Sequence, residues 1–158
     1  MGNAATQVKQ ELQHFADRGI FSHFSVRESG RGRPTEFQFQ WLAGAPSRLK
    51  LYEDKRLLEI HKVLPGVPFR SEMDIAFRKF LTARSNKSVP KHRRLDKTFT
   101  PRCRNRSSAV SVELTFKNGE GRAATKTAIN ILHEIFNNFL MEGPYQNYMV
   151  EVFGIAEE

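Results

Sequence analysis

Three features of the sequence predict an α+β domain with an antiparallel or mixed sheet and helices packed mainly on one face. Two runs of period-two alternation flank a glycine-rich turn, helical periodicity precedes and follows them, and a strand-then-helix pair comes late in the chain. The expected order is α, two to four strands, α, a long loop, β, α, β, in one domain over residues 1–158. A chain of 158 residues that is 39% hydrophobic and holds 13 phenylalanines can bury a core without disulfides or metal. Its 27% charged content is ordinary for a globular domain.

Val8, Leu12, Phe15 and Ala16 recur every three to four residues, and Gly19 supplies a stop, so the chain opens with a helix. Ile20, Ser22, Phe24 and Val26 then alternate, as do Phe37, Phe39 and Trp41. Between them Gly30-Arg31-Gly32-Arg33-Pro34 reads as a long, basic hairpin turn. Glu36, Gln38 and Gln40 occupy the other side of the second run, so one sheet face should meet solvent. Residues 48–64 read as two strands turning at Glu53-Asp54; the alternative is a helix with Leu57, Ile60, His61 and Leu64 on one face. Ser71 is a helix cap with Glu72 and Asp74 in the first turn, and Met73, Phe77, Phe80 and Leu81 share one face of a helix reaching about residue 84. Residues 85–107 show no period and contain Pro90 and Pro101, which predicts a long, poorly packed loop. Val110, Val112, Leu114 and Phe116 form a strand ending at Asn118-Gly119. Ala124, Ala128, Ile131, Leu132, Ile135 and Phe139 then face the core from a helix that Gly143-Pro144 ends. Tyr148, Val150 and Val152, or the opposite set Met149 and Phe153, read as a closing strand.

The positive charge is confined to one place. Residues 78–106 carry eleven basic side chains (Arg78, Lys79, Arg84, Lys87, Lys91, Arg93, Arg94, Lys97, Arg102, Arg104 and Arg106) against the acid Asp96. That is a net +10 in a chain whose total is +8, which leaves the remainder at −2. Like charges this dense are tolerated in a solvated loop, or they meet a polyanion, where Lys and Arg neutralise phosphates and release counterions. His92 and Phe99 would add stacking on exposed bases. Arg31, Arg33, Arg48 and Lys50 would extend the patch if the hairpin turn points the same way.

Other chemistry finds little support. The five histidines (His14, His23, His61, His92, His133) show no zinc spacing, so neither metal nor cofactor is expected. His133, beside Glu134 and opposite the apolar stripe, reads as a surface histidine. Cys103 is the single cysteine. Its neighbours Arg102, Arg104 and Arg106 would lower a thiol pKa, but it reads as a bystander in a basic loop. Gly119-Glu120-Gly121-Arg122-Ala123-Ala124 matches G-x-G-x-x-A between a strand and a helix. The acid expected about twenty residues later falls on Glu142 in a helix, so the motif reads as a tight turn. No Walker loop or Gly-x-Ser-x-Gly elbow occurs, and no spacing pairs Glu11, Asp17, Glu53, Asp54 or Glu59 as catalytic carboxylates. Enzyme activity thus has no positive sequence evidence.

No apolar stretch is long enough to span a bilayer, and Met1 to Thr6 lack the basic region and apolar run of a secretory leader. With one cysteine, a reducing, cytoplasmic compartment is expected. Gly2 and Thr6 fit the loose myristoylation pattern, which is too short to carry weight.

Glu11-Leu12-x-x-Phe15, Phe24 to Glu28 with Ser29-Gly30, and Phe37-x-Phe39-Gln40 resemble the opening of a double-stranded-RNA-binding domain. Val112 to Phe116, then Gly119-Glu120-Gly121-Arg122 with Ala124 and Ala128, resemble its closing strand and second helix. The resemblance implies recognition of duplex RNA by shape through helix residues and a basic pair at the second helix. Ala123 and Ala124 stand where that pair would be, and a long insertion parts the two halves, so membership is not assigned. The leading expectation is a non-catalytic basic domain contacting an RNA or DNA backbone through residues 84–106. The alternatives are a protein-interaction or chaperone-like adaptor with anchors such as Trp41, Phe136 or Tyr148 on its sheet and helix faces, an acidic protein or lipid surface met by the basic segment, and an enzyme with no local sequence signature.

Overall fold

A computed structural model describes residues 3–28, 30, 32–41, 45–91, 94–95, 98–141 and 145–153. It has an α+β fold, a six-stranded antiparallel sheet with its helices packed on one face. Helix α1 (Ala4–Asp17) starts where the Asn3 side chain accepts from the Thr6 N–H at 2.8 Å, and it buries Val8 and Leu12. Strands β1 (Ser22–Arg27), β2 (Thr35–Trp41), β3 (Ala45–Tyr52) and β4 (Leu57–Pro65) follow as successive antiparallel neighbours. Residues 48–64 are therefore strands, turned at Glu53–Lys55 with Arg56 at φ 48°. Helix α2 (Glu72–Ala83) leads to β5 (Arg102–Arg106), β6 (Ala109–Thr115) and α3 (Gly121–Glu134). The sheet order is β1-β2-β3-β4-β6-β5, which leaves β1 and β5 as edges.

Period two sorts the side chains. Phe37, Phe39, Leu49, Leu51, Leu58, Ile60, Val110, Val112 and Leu114 are buried under the helices. Glu36, Gln38, Arg48, Lys50, Glu59 and Glu113 occupy the opposite, open face. Gly121 lets α3 approach α1: an added Cβ would sit 2.6 Å from Gln7 Oε1, and that oxygen already accepts the Gly121 N–H at 3.0 Å. The glycine motif is thus a packing device, with the first free N–H of α3 already occupied.

Three expectations need correction. Just before β1 the buried residue is Phe21, stacked on Phe39 at 4.1 Å, while Ile20 is exposed. A bulge with His23 at φ 57° shifts the register between Ser22 and Ser25, so the alternation holds at Phe24 and Val26 but not at Ile20. The segment 85–107 ends in a strand and is anchored at points. Val89, Leu95 and Phe99 are buried, and Arg102–Arg106 pairs with β6 through a two-residue turn, Ser107-Ser108, both at positive φ. The closing strand is helical instead. An extension of α3 over Ile135–Met141 winds as a π-helix, and Gln146–Tyr148 and Met149–Phe153 are further helical turns. Tyr145, Met149 and Phe153 lie four apart, and Phe153 packs on Phe136 and Tyr148 at 5.3 and 5.8 Å.

Candidate nucleic-acid interface

The basic segment begins at the end of α2, whose start fixes its direction. Ser71 Oγ accepts the Asp74 N–H at 3.2 Å, and Asp74 Oδ2 accepts the Arg70 N–H at 2.9 Å, one residue before the cap. Asp74 is 1% exposed and also receives Asn105 Nδ2 of β5 at 3.1 Å and Arg78 Nε at 3.3 Å. Burial alone would push its pKa up. The bonds from Asn105, Arg70 and Arg78 outweigh that and hold it below the ordinary carboxylate value. One carboxylate therefore ties the start of α2 to the edge strand.

The expected binding residues separate into three groups. Arg84 is structural: its guanidinium meets Glu134 Oε1 at 3.1 Å and the Phe80 carbonyl at 3.0 Å, and covers the Phe80 ring at 3.9 Å. Arg94 caps the turn it belongs to, donating to the carbonyls of Val89 at 3.0 Å and Lys87 at 3.2 Å. Phe99, only 2% exposed, is part of the core and would have to leave it to stack on a base. Arg104 reaches Glu113 at 3.1 Å but keeps 41% of its side chain exposed. Lys87, Lys91, Arg102 and Arg106 are exposed, and none meets a carboxylate among the described residues. His92, Arg93 and Lys97 lie outside the described residues.

Strand β5 explains why three arginines and one cysteine so close in sequence behave differently. Arg102, Arg104 and Arg106 project from the open face, opposite Glu113, Ser111 and Ala109 of β6. Cys103 and Asn105 turn inward. Burial pushes the Cys103 thiol up to about 11 against the pull of Arg78, so the flanking arginines do not activate it. The hairpin turn does not extend the patch: β2 lies four strands from β5, about 19 Å away at ordinary strand spacing. Arg48 and Lys50 are on β3, and Lys50 pairs with Glu36 at 3.5 Å. Arg31 lies outside the described residues.

No known protein family, curated protein or solved structure matches the chain. The interface must therefore be argued from its own geometry. A depression of about 430 Å³ lies where the end of α2 meets the basic segment, lined by Thr82, Ser85, Asn86, Lys87, Thr100 and Pro101. On the open face, a second of about 300 Å³ holds Tyr52, Glu59, His61, Arg104, Arg106 and Glu113. There Glu59 accepts from Tyr52 at 3.3 Å and contacts His61 at 3.0 Å; burial and the Glu59 charge raise the Tyr52 pKa. Among the described residues no group of three or more His, Cys, Asp or Glu is arranged to hold a metal ion, and no helix is long and apolar enough to cross a membrane. The expected interface anchors Trp41 and Phe136 are buried, and the Tyr148 hydroxyl donates to the Pro65 carbonyl.

The sequence reading missed Phe69, which is 58% exposed. It follows Pro68 and belongs to no periodic set; the one available signal was an aromatic just outside a capped helix.

Proposed function

We propose that this chain is a non-catalytic basic domain that contacts a nucleic-acid backbone through the 84–106 segment, using the cations that the fold leaves without acidic partners. The observation that carries the reading is the division within that segment. Arg84 and Arg94 are consumed by internal contacts, whereas the side chains of Lys87, Lys91, Arg102 and Arg106 stand exposed with no ion pair among the described residues. Isolated lysines on a surface are common, but a cluster this dense raises a potential that attracts polyanions. Arginines alternating on one face of an edge strand also repel a second strand, so protection against aggregation and attraction of phosphates arise from the same residues. Burial of Trp41 and Phe136 weighs against an adaptor that uses those rings.

The test is fluorescence anisotropy with labelled single- and double-stranded oligonucleotides at 50 and 200 mM salt. Binding should be detectable at the lower salt, fall steeply at the higher, and be strongly weakened when Lys87, Lys91, Arg102 and Arg106 become serine. No binding at 50 mM, or binding untouched by the four changes, would refute the reading.

A further inference from the structure

Thirteen phenylalanines occur in the chain, and twelve are buried or half-buried; Phe69 alone is exposed, at 58%. Leaving one large apolar ring in water forgoes the burial that the other twelve gain. The ring is also held in place. The Ser71 N–H donates to the Pro68 carbonyl at 3.1 Å, closing a turn with Phe69 and Arg70 at its tip. The carboxylate of Asp74 fixes the Arg70 N–H in that turn at φ 64°. Two guanidinium groups flank the ring, Arg70 at 5.2 Å and Arg78 at 5.7 Å from its centroid. Asp74 holds Arg78 through Nε alone, so its two terminal amino groups remain available to a ligand.

The platform is continuous with the basic segment. Thr82 lies one helical turn beyond Arg78 on α2, and it lines the 430 Å³ depression together with Lys87 and Pro101. Beside Pro101 begins the edge strand, with Arg102 exposed. A track thus runs from an aromatic face with two arginines, along α2, to Lys87, with Arg102 beyond it at the start of the edge strand. Charge alone selects any polyanion. An exposed ring beside guanidinium groups selects one that carries unpaired flat rings, because the faces of duplex bases are already stacked.

From this we infer that Phe69, flanked by Arg70 and Arg78, is a stacking platform for an unpaired base, and that the ligand of this flank is a single-stranded nucleic acid. The inference rests on the nucleic-acid reading above and adds to it a strand state and a residue outside the basic segment.

The experiment compares three labelled probes of twelve nucleotides at 50 mM salt: a single strand of mixed sequence, its duplex, and an abasic sugar-phosphate strand. Wild type should bind the single strand more tightly than the other two. Phe69→Ala should weaken the single strand about tenfold, within the range expected for one stacked base, and leave the abasic strand unchanged. Phe69→Trp should restore the affinity. Equal binding of all three probes, or Phe69→Ala having no effect on the single strand, overturns the stacking platform while leaving backbone binding intact. An equal loss on single and abasic strands also overturns it, since the ring would then act on the charges alone. If no probe binds, both proposals fall.

Discussion

The middle of the open sheet face and the edge formed by α2 and β5 are both charged, but they dispose of their charges differently. On the open face Glu36, Glu59 and Glu113 each hold a partner: Lys50, His61 with Tyr52, and Arg104. Glu59 and Glu113 stand directly opposite one another, a like-charge pair that these partners offset. At the α2–β5 border the buried Asp74 and Glu134 fix Arg78 and Arg84, while Lys87, Lys91, Arg102 and Arg106 are exposed and meet no carboxylate among the described residues. Carboxylates that organise cations make a surface self-sufficient. Cations in excess of carboxylates leave it to be completed from outside.

The largest effect should come from the carboxylate at the centre of that border. Asp74→Ala leaves Asn105, the Arg70 N–H and Arg78 without their acceptor, and denaturant unfolding should show a loss of about 3 kcal/mol. A loss below about 1 kcal/mol would mean that Asp74 does not tie α2 to the edge strand. The sign of the pH dependence follows from its lowered pKa. The contribution of Asp74 is fully present above the ordinary value of 3.8 and lost as pH falls through the lower native value. The stability difference between wild type and Asp74→Asn should accordingly shrink in that acid range.

Arg84→Ser should cost somewhat less, about 2 kcal/mol, because it breaks a pair with a carboxylate only 2% exposed while Arg84 keeps some solvent contact. This substitution sharpens the contrast within the basic segment. Stability should fall, and the salt dependence of any ligand should not change. The reverse is expected for the four exposed positions, Lys87, Lys91, Arg102 and Arg106, where serine should alter stability by no more than about 0.5 kcal/mol each. The open face should also respond weakly. Glu36→Gln should change stability by less than about 1 kcal/mol, since its pair with Lys50 is near the surface.

Much of the fold was legible because its signals were periodic. Val8, Leu12 and Phe15 marked α1; Phe37, Phe39 and Trp41 marked β2; Ser71 and Asp74 marked the start of α2. What escaped lacks a period. The turn between β5 and β6 is Ser107-Ser108, with no glycine or asparagine to announce positive φ, so the strand before it read as loop. Val89, Leu95 and Phe99 are seated singly in a polar segment, and isolated apolar residues carry no pattern. The site was half legible. Its charge was evident from counting, but composition cannot separate Arg84, which bridges two helices, from Arg102, which is exposed with no ion pair among the described residues. That distinction is tertiary, as is the exposure of Phe69.

Salt dependence tests the central claim most directly, because it counts the ions released when the unpaired cations meet phosphates. If Lys87, Lys91, Arg102 and Arg106 act with Arg70 and Arg78, log K for a single strand should fall against log salt with a slope of about −4. Serine at the first four positions should flatten it to about −1, and Arg84→Ser should leave it unchanged. The same slope in wild type and the fourfold variant, or a slope altered by Arg84→Ser as strongly as by the four together, would contradict the account.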